Sequence, residues 1–274
     1  MYEIIAKTIA VVIGNCDGWD EIEDCCKSKE AWLREHMGLK LEHGIPSEMT
    51  FARVWGRIGP DAFKKCFTQW ANRVHEKVAG EIVSIDRKTV YGSKSDKRKP
   101  IHMVSAWVSE QEVVLGQLCA EEKTNEITTG PLLLVLLDIS GCIVTADAMS
   151  CQRDITKKIV DREGDYVLRL KENQPTLYEY AQTYFRDALE NQKWYPEMTS
   201  CETIDKEHGR IEKRTYYLSS DLSGLDIAKD WSGLQGIGLV CLHVVVGETE
   251  PLELRYAITS LKSVEVFSCA IRTH

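Results

Sequence analysis

From residue 81 the chain alternates short apolar runs with amphipathic segments, and the order of these admits few folds. Glu81 to Asp86 (EIVSID), His102 to Val108 (HMVSAWV) and Val113 to Glu121 (VVLGQLCAE) read as strands. The short turn Ser109-Glu110-Gln111 makes the second and third antiparallel neighbours. Pro131 to Ile139 (PLLLVLLDI) reads as a buried helix, CIVTADA from Cys142 as a strand, and about Cys151 to Arg162 as a helix. Gly164-Asp165 turns into the strand YVLRLK. Pro175 then opens an amphipathic helix with Leu177, Tyr180, Ala181, Tyr184 and Ala188 on one face. Three strands, helix, strand, helix, strand is an α/β pattern with a mixed sheet flanked by helices. Thr203 to Leu218, Leu239 to Val246 and Leu254 to Leu261 read as further strands. They form a β-rich insertion from about residue 200, with no closing helix expected after it.

The preceding residues, 1 to about 78, read as helical. Ile4, Ile5, Ile9, Val12 and Ile13 recur at helical spacing, and Trp19 to Met37 follows with Trp19, Ile22, Cys26, Trp32 and Leu33. Gly44-Ile45-Pro46-Ser47 breaks the pattern, with Ser47 as the expected N-cap of EMTFARVWGRI. Pro60 suits the first turn of AFKKCFTQWANRVHEKV. Short helices joined by Gly/Pro turns suit either a DNA reader or a purely structural cap.

Composition limits the possibilities. With 43% hydrophobic and 28% charged residues the chain is globular rather than disordered. No apolar run reaches the length of a bilayer span. The ten cysteines include no CxxC pair, which predicts reduced thiols and a cytoplasmic protein. The net charge of −8 opposes nucleic-acid binding. Against that balance stands a basic run of Arg87, Lys88, Lys94, Lys97, Arg98 and Lys99, whose plain reading is a solvated loop.

Two strands end on a lone carboxylate, Asp86 in EIVSID and Asp147 in CIVTADAMSCQ. A pair of acids delivered by two strand ends is a candidate metal site. The plainer readings are a strand-end turn residue for Asp86 and a helix N-cap for Asp147.

The segments GIPSEMTFARVW, AFKKCFTQW, IDRKTVYGSK, HMVSAW, VLGQ, EKTNEIT, IVTADAMSCQ, GDYVLRLKENQ and HGRIEKR, in this order, resemble the H-repeat-associated insertion-sequence transposases. These are a branch of the RNase H-like DDE recombinases, and the resemblance runs nearly end to end. It implies cleavage at the ends of a mobile element and joining to target DNA, with Mg²⁺ or Mn²⁺ as cofactor. It implies double-stranded DNA as partner, a homodimer, and a bacterial, nucleoid-associated location when acting. It assigns Asp86 and Asp147 as metal ligands and catalytic acids, on strands that are adjacent in that fold. For the third acid, Glu212 in HGRIEKR is the candidate, the alternative being a salt bridge with Arg210 or Arg214.

In the family the third acid lies on a helix after the insertion, as the glutamate of an Ile-Glu-Asn step that follows an Arg and a His-Trp. This chain reaches Ala270-Ile271-Arg272-Thr273-His274, so the resemblance implies a copy that stops short of that acid. Such a copy would bind DNA without cutting it, and a metal-dependent nuclease on the same fold is the further alternative. Lys88, Lys171, Asn173, Gln174, His208 and Arg210 are the expected DNA contacts. The plain alternative for Lys171 is a strand-end lysine reaching for water. Arg87 stands where the family has Gly, Tyr91 where it has Arg, and Glu48-Met49 where it has His-Asp. A cation at Arg87 would compete with a metal for Asp86 unless its side chain turns away.

Overall fold

The computed structural model describes residues 1–75, 78–90, 93, 100–108, 110–111, 113–120, 126–191, 195, 197–207, 210–245 and 252–273. They fall into two compact units, Met1–Cys66 and Phe67–His274.

The first unit is helical: α1 (Tyr2–Ile13), α2 (Trp19–Ser28), α3 (Glu30–Met37), α4 (Glu48–Trp55) and the start of α5 (Pro60–Val74). Val11, Ile22, Cys26, Leu33, Leu39, Leu41 and Phe51 form its core. Glu21 caps α2 by accepting from the amides of Asp17 and Gly18 at 3.1 and 3.4 Å. Gly38, at φ +62°, ends α3 in the left-handed conformation that glycine adopts without strain. Ser47 precedes α4 as expected, but its hydroxyl meets Thr50 Oγ1 at 3.3 Å and makes no side-chain cap. The expectation of reduced thiols is corrected here, because Cys16 and Cys25 are joined in a disulfide that links the end of α1 to α2.

The second unit is built on a sheet ordered β3-β2-β1-β4-β5-β9-β8-β7-β6. The strands are β1 (Ile82–Thr89), β2 (His102–Val108), β3 (Val113–Ala120), β4 (Ile143–Ala146), β5 (Asp165–Leu170), β6 (Met198–Glu207), β7 (Arg210–Ser219), β8 (Gly236–Val245) and β9 (Leu252–Thr259). β1, β2 and β3 pair antiparallel, whereas β4 runs parallel to β1 and β5 parallel to β4. The mixed sheet and strand order agree with the reading from sequence. The segment after residue 200 differs from it. Thr203 to Leu218 is two strands, because β6 ends at Glu207 and β7, starting at Arg210, pairs back along it. The late strands extend the same sheet, with β9 hydrogen-bonded to β5.

Side-chain alternation sorts the strands onto two faces. Val83, Ile85, Val144, Ala146, Tyr166 and Leu168 pack under α6 (Glu126–Leu136), α7 (Arg153–Val160) and α8 (Pro175–Glu190). Their neighbours Ile82, Ile143 and Val167 face the other way with Ala257, Val240, Tyr216 and Leu218. This second face is covered by α9 (Val264–Thr273), through Val264, Phe267, Ala270 and Ile271. The expectation that no helix closes the fold is therefore corrected. Apolar residues at helical spacing and Ser263, whose hydroxyl accepts from the amide of Val266 at 3.2 Å, suffice to form one. Gly238 gives α9 its seat, since a Cβ there would lie 2.2 Å from Phe267 Cζ. No helix among the described residues is long and apolar enough to cross a membrane.

Candidate active site

The register of two strands brings Asp86 and Asp147 together. β1 and β4 run parallel with Ser84 opposite Thr145 and Ile85 opposite Ala146. Ser84 and Thr145 are buried, and their hydroxyls meet at 2.9 Å. Two residues on, alternation directs Asp86, still in β1, and Asp147, the first residue after β4, toward that same face. Adjacent strands lie about 4.8 Å apart, a spacing at which two carboxylates can share a cation.

Both plain readings of these aspartates also hold locally. Asp147 is the N-cap of a single 3-10 turn, Ala148–Ser150, and accepts from the amide of Ser150 at 3.1 Å. Asp86 is half exposed and pairs with Lys88, Nζ to Oδ2 3.3 Å. The cap uses Oδ1 of Asp147 and leaves a second carboxylate oxygen on that face. The Lys88 pair is an exposed ion pair, worth at most about 1 kcal/mol and readily exchanged.

The amide of Arg87 donates to Asp86 Oδ1 at 2.8 Å, but its guanidinium does not compete for that acid. Alternation sends its side chain to the opposite face of β1, where Nη2 donates to Ser150 Oγ at 3.0 Å. Ser150 is fully buried and its amide donates to the capping carboxylate of Asp147, so Arg87 braces the turn behind the aspartate. Asn173 and Gln174 brace the same turn. Asn173 Nδ2 donates to the carbonyl of Ala148 at 2.7 Å, and Gln174 Nε2 to that of Cys151 at 3.0 Å. These amides were expected to meet DNA, but in the structure they bond the loop that carries Asp147. Lys171 is exposed and lines a cleft of about 460 Å³ with Ala148, Met149, Arg169, Asn173 and Arg255.

Asp86 itself lines a second cleft of about 500 Å³ with Ser84, Lys88, Ser105, Trp107 and Gln117, and Thr273 of α9 reaches its edge. Glu212 does not join this pair. It lies on β7, four strands from β4, on the order of 19 Å along the sheet at the usual strand spacing. Paired metals need to sit about 3.5–4 Å apart. Glu212 instead forms an ion pair with Arg214, which also holds Asp205 Oδ2 at 2.5 Å. His208, the side chain of Arg210, and Lys94, Lys97, Arg98 and Lys99 lie outside the described residues.

Sequence reasoning missed two residues here, Arg169 and Arg255. Arg169 follows Leu168, the partner of Ala146, and so stands beside Asp147 on the same face. Burial, with the charge of Arg255 second, lowers the pKa of its guanidinium, and Asp147 acts in the opposite sense. Arg255 is held by Glu253 through two bonds, at 2.7 and 2.8 Å, which raise its own pKa and keep the Glu253 carboxyl below its ordinary range. An apolar strand carrying one arginine gives no sign of which acid the sheet will set beside it.

The donor set suits a hard cation. Mg²⁺ takes oxygen ligands, retains several waters and needs only one or two carboxylates. Among the described residues no group of three or more His, Cys, Asp or Glu side chains is placed to hold a metal.

Residues 77–230 match the family described as Transposase DDE domain, and residues 1–71 match the DDE_Tnp_1-associated family. The chain is 38% identical to "Putative transposase YncI" of Escherichia coli O157:H7, over 99% of this chain and 70% of that protein. It is 36% identical to "H repeat-associated putative transposase YhhI" of Escherichia coli K12, over 99% of this chain and 73% of that one. A piggyBac transposase synaptic complex with hairpin DNA aligns at a TM-score of 0.39 and 11% identity, over 88% of this chain and 51% of that one, and nothing rests on so loose a match. The chain belongs to the DDE transposase family.

Proposed function

We propose that the chain is the DNA transposase of an insertion sequence, cutting phosphodiester bonds at the element's ends and joining them to target DNA. The observation that supports this reading is the parallel register of β1 and β4, with Ile85 opposite Ala146, each followed directly by one of the two acids. The two carboxylates would hold Mg²⁺ or Mn²⁺. A bound divalent cation supplies activation of a water or 3′-hydroxyl nucleophile and charge neutralisation at the leaving oxygen.

The chain's own residues set the geometry around that chemistry. Ser84 and Thr145, hydrogen-bonded and buried, fix the two strands beneath the acids. Arg87, Asn173 and Gln174 hold the turn that aims Asp147. Lys88 shields Asp86 and, being 83% exposed, is free to swing to a phosphate when DNA arrives. Glu212 acts as an ion-pair partner of Arg214. The local basic groups Lys88, Lys171, Arg169 and Arg255 offset, at the site, an overall charge of −8.

The test is purified chain with duplex DNA bearing the element's ends, in Mg²⁺ or Mn²⁺. Nicked and joined products are expected, and Asp86→Asn and Asp147→Asn should each abolish them. Cutting of unrelated DNA without joining would point to a nuclease. Salt-dependent binding of the ends without cutting would point to a binding module. Wild-type cleavage by Asp147→Asn would overturn the assignment of the pair.

A further inference from the structure

Beyond the aspartates, the face that carries them is lined with arginines. Val167, Ala257 and Tyr216 belong to the apolar cluster under α9. Two residues from each along its strand, side chains return to that face, which places Arg169, Arg255 and Arg214 there. With Arg272 of α9 they line a cavity of about 220 Å³. Their counter-ions are unequally shared. Arg255 has Glu253, Arg214 has Glu212 and Asp205, and Arg272 has Asp205 at 2.5 Å. Arg169 has no ion pair among the described residues, and its buried Nε has no hydrogen-bond partner.

A half-buried guanidinium held in no ion pair is costly to keep. It is also the group best shaped to take phosphate oxygens in pairs. Arg169 lies one strand from Asp147, about 4.8 Å away across the sheet, and lines both the arginine cavity and the neighbouring cleft with Lys171.

We propose that Arg169, supported by Arg255, seats a backbone phosphate of the DNA strand next to the phosphodiester held at Asp86 and Asp147. This rests on the transposase reading for the identity of the bond beside it. Glu253 holds Arg255 back from the same phosphate, so the bidentate pair is a brake on the seat. Each phosphate contact releases counterions and steepens the fall of affinity with salt by about 0.9 in the log–log slope.

The experiment is fluorescence anisotropy of a labelled DNA duplex of random sequence, titrated with the whole chain across a range of salt. Arg169→Gln should weaken binding and flatten the slope by about 0.9. Glu253→Gln, a change at an exposed position, should strengthen binding and steepen the slope by freeing Arg255. Lys157→Gln, an exposed charge on α7, should leave both unchanged. Should Arg169→Gln fail to fold by circular dichroism, Glu253→Gln decides the matter alone. An unchanged slope in Arg169→Gln and Glu253→Gln would overturn the proposal. So would equal flattening in Lys157→Gln, which would make the effect one of general charge. Failure of the chain to cut element ends, with these slopes as expected, would remove the transposase reading and leave the phosphate seat standing.

Discussion

The seat of α9 on the sheet can be tested by epistasis. Phe267 is fully buried, and an added Cβ at Gly238 would lie 2.2 Å from its Cζ and 2.6 Å from its Cε2. Phe267→Ala removes the ring and leaves a cavity, at a cost of about 3–5 kcal/mol. Gly238→Ala in the intact protein overpacks the same spot, at about 1–3 kcal/mol. With the ring gone the clash goes with it. Gly238→Ala in the Phe267→Ala background should then be neutral or stabilising by about 0.4–1 kcal/mol, through loss of glycine's freedom in the unfolded chain. The penalty of one substitution thus vanishes or reverses with the residue opposite, a coupling on the order of 1–4 kcal/mol from these figures. Urea unfolding of the four proteins, with the denaturant slope checked for constancy, measures it. An equal penalty for Gly238→Ala in both backgrounds would refute the packing of α9 against β8, and with it the account of how Thr273 reaches the Asp86 cleft.

Further outcomes follow from the site. Asn173→Ala removes the bond to the carbonyl of Ala148, costing about 0.5–1.5 kcal/mol in stability; cleavage of element ends should slow more than DNA affinity falls, as a kinetic assay beside an anisotropy titration would show. The Cys151 thiol is buried and its pKa pushed up to about 12, so at pH 8 only about one molecule in ten thousand carries the thiolate. Iodoacetamide and mass spectrometry should therefore find exposed Cys66 and Cys269 modified and Cys151 spared in the folded chain. Arg255, first through its hydrogen bond, keeps the folded-state pKa of Glu253 below the ordinary 4.5. The pair's contribution is present above pH 4.5 and fades as pH falls through the lower folded value. Glu253→Gln should accordingly show a shallower acid loss of stability than wild type below pH 4.5.

Asp86 and Asp147 stood out in the sequence because each closes an apolar, alternating strand, which shows the face an acid takes; that the two strands adjoin came only with the family resemblance. What joins elements distant in sequence was hidden. Arg169 meets Arg255 only because β9 returns antiparallel against β5, and no alternation within either strand reports that. The break between Glu207 and Arg210 was missed because alternating residues continue on either side of it. α9 was missed for a related reason: ten residues of mixed polarity show their helical stripe only against a face that accepts Phe267. Asn173 and Gln174 were read as DNA contacts because they belong to a motif shared with the family and amides can reach phosphate or base edges. Their partners are carbonyls of the turn after Asp147, which only the fold brings near.

The most direct test of the central claim is manganese binding. Electron paramagnetic resonance of Mn²⁺ titrated with the chain reports free ion, and Mg²⁺ should compete for the bound fraction. The account predicts a site present in wild type and in Glu212→Gln, and lost in both Asp86→Asn and Asp147→Asn. Retention of that site in either aspartate variant, or its loss in Glu212→Gln, would contradict it.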